Sequence, residues 1–137
     1  MTNFKLLTLV FIISLTACTK KAPVKSYKYI EISEVKGLFG GITYKEKEAV
    51  IITALSDSAA YCKAYEKFCI VRKVFYTMAK EYPESIGSGL TKPLSFKLLT
   101  ESGENIENSV HFTDKEIIEI KIEAKIQAIK IDLPKNK

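Results

Sequence analysis

The chain has 137 residues, with 21 Lys plus Arg against 16 Asp plus Glu, a formal charge of +5 and 47% apolar residues. That length suits one domain able to bury a core without a metal or a disulfide framework. The basic excess is dispersed lysine, with Arg72 as the single arginine, a pattern that argues against a nucleic-acid partner.

The start of the chain organises the rest. Lys5 is the only charge before Lys20, and residues 6–15 are apolar apart from Thr8 and Ser14. A permanent membrane helix needs about 20 apolar residues, so this run has the length of a secretory leader. It ends in Leu15-Thr16-Ala17-Cys18: an aliphatic residue, two small ones, then cysteine.

This resembles the lipobox of bacterial lipoproteins. The resemblance implies cleavage between Ala17 and Cys18, a diacylglycerol on the Cys18 sulfur and acylation of the new amino terminus. Two or three acyl chains anchor stably, since each buried methylene contributes about 0.8 kcal/mol and one chain alone is marginal. The implied partner is therefore a lipid bilayer, and the only attached group is covalent lipid on Cys18. Thr19 stands where the enterobacterial retention signal has Asp, which implies the outer membrane facing the periplasm, with the inner membrane and the cell surface as alternatives. The expected organisation is a signal peptide over 1–17, a lipidated tether over 18–26 and one domain over 27–137. The tether is polar, carries Pro23 and spans roughly 25 Å at full stretch, which keeps the domain close to the bilayer.

Within the domain, residues 27–33 set Tyr27, Tyr29 and Ile30 against Lys28, Glu31 and Ser33 and predict a first, edge strand. Gly37, Gly40 and Gly41 mark a bend that lacks the spacing of a phosphate loop. A second strand begins at residues 42–44. Residues 49–55, AVIITAL, predict a buried strand rich in β-branched side chains.

Residues 56–58, Ser-Asp-Ser, supply a helix N-cap. From there to Tyr82 no Gly or Pro intervenes, and Tyr61, Ala64, Tyr65, Phe68, Val71, Phe75, Met78 and Tyr82 fall in steps of three and four. This spacing predicts one long helix packed on a sheet, ended by Pro83. Residues 84–92 read as an exposed loop, and residues 94–100 as a strand. A turn follows over 101–105 and a weaker strand over 106–112.

The last segment alternates: Ile118, Ile120, Ile122, Ala124 and Ile126 against Glu119, Lys121, Glu123, Lys125 and Gln127. It predicts a half-buried antiparallel strand with a β-bulge over residues 127–129, where the phase flips. Thr113-x-x-Glu116 matches a helix capping box, and the alternation is taken to outweigh it.

Cys62 and Cys69 are the remaining cysteines. In an exported protein such a pair usually bridges, but seven helical residues separate them by about 10.5 Å along the axis, against the 7 Å or so between Cα atoms that a disulfide allows. Free half-buried thiols, a disulfide across a broken helix, and an intermolecular or redox role all stay open. His111 is the only histidine, and its spacing to the cysteines fits no usual metal motif. Glu101, Glu104 and Glu107 surround one turn without an enclosing motif. The sequence thus assigns no catalytic residue and no metal ligand.

The expected fold is α+β: one long helix on an antiparallel sheet of four or five strands. Its order of strand, helix, then three strands is similar to cystatin-like arrangements, a likeness of topology that carries no function. The leading expectation is a non-catalytic, membrane-anchored binding or assembly module of the bacterial envelope. Its partner would be another envelope protein, peptidoglycan, or a secretion or conjugation apparatus. An inhibitor or immunity-type lipoprotein that blocks a hydrolase through residues 84–92 is the alternative. A thiol enzyme using Cys62, Cys69 or His111 stands third.

Overall fold

The structure is a computed structural model that describes residues 22–37, 39–86, 90–108 and 112–131. Its spine is β1, Lys25–Lys36. A two-residue period carries Tyr27, Tyr29, Glu31 and Ser33 to one buried face and leaves Ile30, Ile32 and Glu34 half-buried on the other. This corrects two expectations. Glu31 and Ser33 face inward beside the tyrosines, because strand geometry and not polarity decides the face. The strand is also central and longer than residues 27–33, because three strands pair with it.

β2, Ile42–Glu46, pairs antiparallel with residues 32–36 of β1, and β3, Val50–Ala54, pairs antiparallel with residues 25–29. They lie end to end along one edge. Two residues of β1, 30 and 31, face three in residues 47–49, so one extra residue bulges between them. β4, Lys92–Leu99, covers the other edge. It steps out of register at Leu94, between the pairs Ile32↔Ser95 and Ser33↔Pro93, and Pro93 sits where a missing donor is tolerated on an edge strand. The four strands thus form a sheet three strands wide. β3 was expected to be buried throughout. It is buried only at Ile52 and Ala54, while Ile51 on its other face is exposed.

Gly40 turns the chain between β1 and β2 at φ +80°, a conformation that suits glycine. The Ser56 Oγ accepts the Ala59 N–H at 3.2 Å and starts α1, Asp57–Glu81. The helix ends where the Tyr82 N–H donates to the Met78 carbonyl and Pro83 follows. Ala60, Tyr61, Ala64, Phe68 and Phe75 are buried, most of them on the predicted stripe, whereas Met78 and Tyr82 at its far end are exposed.

The core is aromatic. The Phe96 ring from β4 lies 5.4–6.2 Å from those of Tyr29, Tyr61, Tyr65 and Phe68. Such pairs each contribute about 0.5–1.5 kcal/mol beyond their buried area.

After β4 the expected weak strand is absent in its described part. Residues Ile106–Asn108 form a single 3-10 turn that buries Ile106 completely, and residues 109–111 lie outside the described residues. The final segment is also corrected: Asp114–Lys130 is a helix, α2, and residues 127–129 continue it without a bulge. The capping box forms in full. Glu116 N–H donates to the Thr113 Oγ, and Thr113 N–H donates to the Glu116 Oε2 at 2.7 Å. In helical spacing Ile117, Ile120, Ala124 and Ala128 fall in one stripe. The two alanines are buried and the two isoleucines half-buried, and α2 packs on α1.

The result is an α+β fold with a long helix on a four-stranded antiparallel sheet, as expected, and a second helix where a last strand was expected. The order β-β-β-α-β-α departs from the cystatin-like one.

The ends of this body are chemically distinct. Lys25 and Tyr27, at the start of β1, bond the Asp57 carboxylate at the start of α1. Phe112, just before α2, lies against Tyr61, and Lys73 donates to the Ile131 carbonyl at the end of α2. Both helices therefore run the same way, away from the end where β1 begins.

Candidate binding surfaces

The described chain begins at Ala22, four residues after Cys18, which itself lies outside the described residues, as do His111 and residues 87–89. β1 therefore begins at the N-terminal ends of α1 and α2.

The opposite end holds a cavity of about 420 Å³. Lys36 at the end of β1, Phe75, Tyr76 and Ala79 on α1, and Ile86 and Leu90 after it line its walls. Ile86 and Leu90 bridge each other, and the Leu90 N–H donates to the Ser85 carbonyl. The segment expected to project as an inhibitory loop is thus folded, at its described ends, into the wall of this cavity. From Asp57 to Tyr76, α1 rises about 28 Å, which separates the start of β1 from the cavity by nearly the length of α1.

A second groove, about 380 Å³, runs between the C-terminal halves of the two helices. Its floor is Cys69, Ala128 and Ile129, and its rim is Arg72, Lys73, Tyr76 and Lys125. The Arg72 guanidinium lies 5.7 Å from the centres of both the Phe68 and Tyr76 rings. By hydrogen-bonding the Tyr76 phenol it holds that group below its usual range. Tyr76 borders both cavities, so one exposed ring joins an apolar cavity to a cationic groove.

Cys62 and Cys69 lie on the face of α1 turned towards α2. Both are free and half-buried, and the helix is unbroken between them, so they do not bridge within the chain here. Burial pushes both thiols up. Glu123 and Glu66 add to the effect at Cys62, while Lys125 and Arg72 oppose it at Cys69. Raised thiols are poor nucleophiles near neutral pH.

The turn carboxylates also separate. Glu107 accepts the Tyr61 hydroxyl at 2.8 Å and pairs with Lys121 at 3.8 Å, which ties α1 to α2, while Glu101 and Glu104 are exposed. Among the described residues, no three His, Cys, Asp or Glu side chains are grouped to hold a metal, and no helix is long and apolar enough to cross a membrane.

Two apolar faces are open. The outer face of the sheet presents Ile42, Tyr44 and Ile51 beside half-buried Ile30 and Ile32. The outer face of α2 presents a row of isoleucines. Sequence reasoning missed the cavity, the cationic groove and this row. The first two need the second helix or the fold of residues 83–90, which no local pattern supplies. The row was visible as isoleucines and was assigned to a strand.

No protein-family model, curated protein or solved structure matches the chain.

Proposed function

We propose that the chain is a lipid-anchored protein of the bacterial envelope that works as a non-catalytic binding module, most simply at the outer membrane facing the periplasm. Acylated Cys18 is the anchor, and the binding site is the cavity bounded by Lys36, Phe75, Tyr76, Ala79, Ile86 and Leu90. The observation that carries this reading is the opposition of tether and cavity along the body. A domain held by about seven residues of tether turns its far end away from the lipid. Apolar walls edged by Lys36, Lys92 and Glu34 suit a segment of another envelope protein, with peptidoglycan as the competing ligand.

The test compares the wild-type full chain with Ala79→Phe, which fills the cavity from a half-buried position on its α1 wall, and with Cys18→Ser. Envelope fractions are solubilised in detergent after cross-linking. Cys18→Ser is expected to leave the membrane fraction, and Ala79→Phe to remain there but lose the wild-type partner. A partner retained by Ala79→Phe overturns the assigned site. Wild-type chain without acyl mass on residue 18 overturns the anchor. Recovery of a hydrolase alone, inhibited by the wild type, favours the inhibitor reading, since Ile86, Leu90, Thr91 and Lys92 form part of the same wall.

A further inference from the structure

The exposed face of α2 is apolar in a regular way. Ile118, Ile122, Ile126 and Ile129 are 58%, 53%, 49% and 74% exposed, and steps of four, four and three place them in one stripe roughly opposite the alanines that meet α1. A solvated helix face has no use for four isoleucines in register, whereas a seam between two helices requires them.

The charges beside the stripe identify the second helix. Lys125 falls on one flank and Glu123 on the other, whereas half-buried Lys121 pairs with Glu107 of its own chain and Glu119 lies 3.8 Å from Lys115. Lys125 is two residues from Glu123, so the two sit within about 3 Å of each other in height along the axis. Two copies of this helix related by a two-fold axis parallel to it would bring the Lys flank of one against the Glu flank of the other at matching heights. An antiparallel arrangement would face Lys flank to Lys flank and Glu flank to Glu flank. Lys130 lies at the end of the Glu flank, and Lys115, three residues before Ile118, continues the isoleucine stripe into the exposed first turn, where it pairs with Glu119.

We infer that the isoleucine stripe of α2 is the seam of a parallel, two-fold homodimer of this chain. The direction of the helices agrees. α2 starts at the end where the tether enters, so a parallel pair sends both tethers out on one side, as two anchors in a single bilayer require; this last point rests on the anchoring proposed above, while the charge match does not. A 17-residue helix is about 26 Å long, and one such seam buries less than the roughly 800 Å² per partner of a standard stable interface. Association is therefore weak in dilute solution. Confinement of both copies to one membrane raises their effective concentration and closes the pair.

The test uses the full chain in membranes. Ile118→Cys and Ile129→Cys are made separately, in a chain carrying Cys62→Ser and Cys69→Ser, and treated with a short bifunctional thiol-reactive cross-linker. A parallel seam cross-links each variant to itself, at both ends of the helix. Cross-linking only when the two variants are mixed shows an antiparallel pair and overturns the proposal, as does a cross-link to a different protein or none. The charge test avoids the core. Lys125→Glu is expected to weaken self-association, and adding Glu123→Lys to restore it; a double variant as weak as the single one overturns the pairing. Ile122→Asp should weaken the dimer by ~30-fold or more, as for a central interface residue. Acyl mass on Cys18 is read on the same samples, so a failed anchor and a failed seam give different results.

Discussion

The Glu31–Lys47 pair makes the sharpest demand on the energetics of the fold. The Glu31 carboxylate is 7% exposed in the inner face of β1, and its Oε1 accepts the Ser33 hydroxyl at 2.9 Å and pairs with the Lys47 ammonium at 2.6 Å. The bulge over residues 47–49 holds the lysine there, since the Lys47 N–H also donates to the Glu31 carbonyl at 2.9 Å. Breaking a fully buried pair costs about 3–5 kcal/mol and an exposed one 0–1. Lys47 is 45% exposed and regains water easily when alone, but Glu31 does not. Lys47→Met is therefore expected to destabilise by about 2 kcal/mol, and Glu31→Leu by less. The double variant should lie closer to wild type than Lys47→Met does, because an apolar replacement of a buried pair is often neutral. The assay is urea unfolding of the full chain carrying Cys18→Ser, analysed as a double-mutant cycle. A Lys47→Met variant within 0.5 kcal/mol of wild type, or two single effects that simply add, would refute the argument.

Further outcomes follow from the same coordinates. Thr113→Ala removes the cap of α2 and should cost about 1 kcal/mol in urea unfolding; an unchanged midpoint would mean that the capping box is idle. The Thr113 N–H holds Glu116 below its usual value of 4.5, so its contribution is present above that pH and fades as pH falls through the lowered value, which circular dichroism of wild type against Glu116→Gln should resolve. The Tyr29 hydroxyl is buried with no hydrogen-bond partner among the described residues, so Tyr29→Phe should match or exceed wild-type stability, and a loss above 1 kcal/mol would contradict the orphaned hydroxyl. Burial raises Tyr27, Tyr29 and Tyr61 well above 10, with Asp57 and Glu107 accepting two of the hydroxyls. The folded state keeps protons that the unfolded chain releases, so stability should hold below pH 10 and fall above it, visible as a declining Tm. Thiol titration of unfolded chain should count the same free thiols at Cys62 and Cys69 with and without prior reductant.

The misread element shows where local pattern stops being informative. In residues 117–129, isoleucine or alanine recurs every second residue, but also at 117 and 129, so a two-residue and a 3.6-residue period both find a consistent apolar face. Two small signals favoured the helix. One was the capping box at Thr113 and Glu116. The other was alanine at 124 and 128, which suits close helix contact and wastes area in a sheet. The isoleucines and their strict alternation were taken to outweigh the cap, although the cap marks a helix start and the alternation fits both periods. α1, by contrast, was legible from Ser56 to Pro83, because its stripe lacks a competing period and both ends carry stop signals. The position of β1 was not legible at all. Whether a strand is central or at an edge depends on which others pair with it, and Glu31 looked like an edge charge until Lys47 was brought across the bulge.

β1 also sets an order of events. Apart from a single bridge between Leu99 and Asn105, β2, β3 and β4 find all their ladder partners in it. While residues 25–36 are gripped, whether by a ribosome, a translocase or a protease cleft, the other strands have no template and the aromatic centre has no floor. Residues 25–36 must therefore be free before the remainder can close, so the sheet is committed only once its central strand is released.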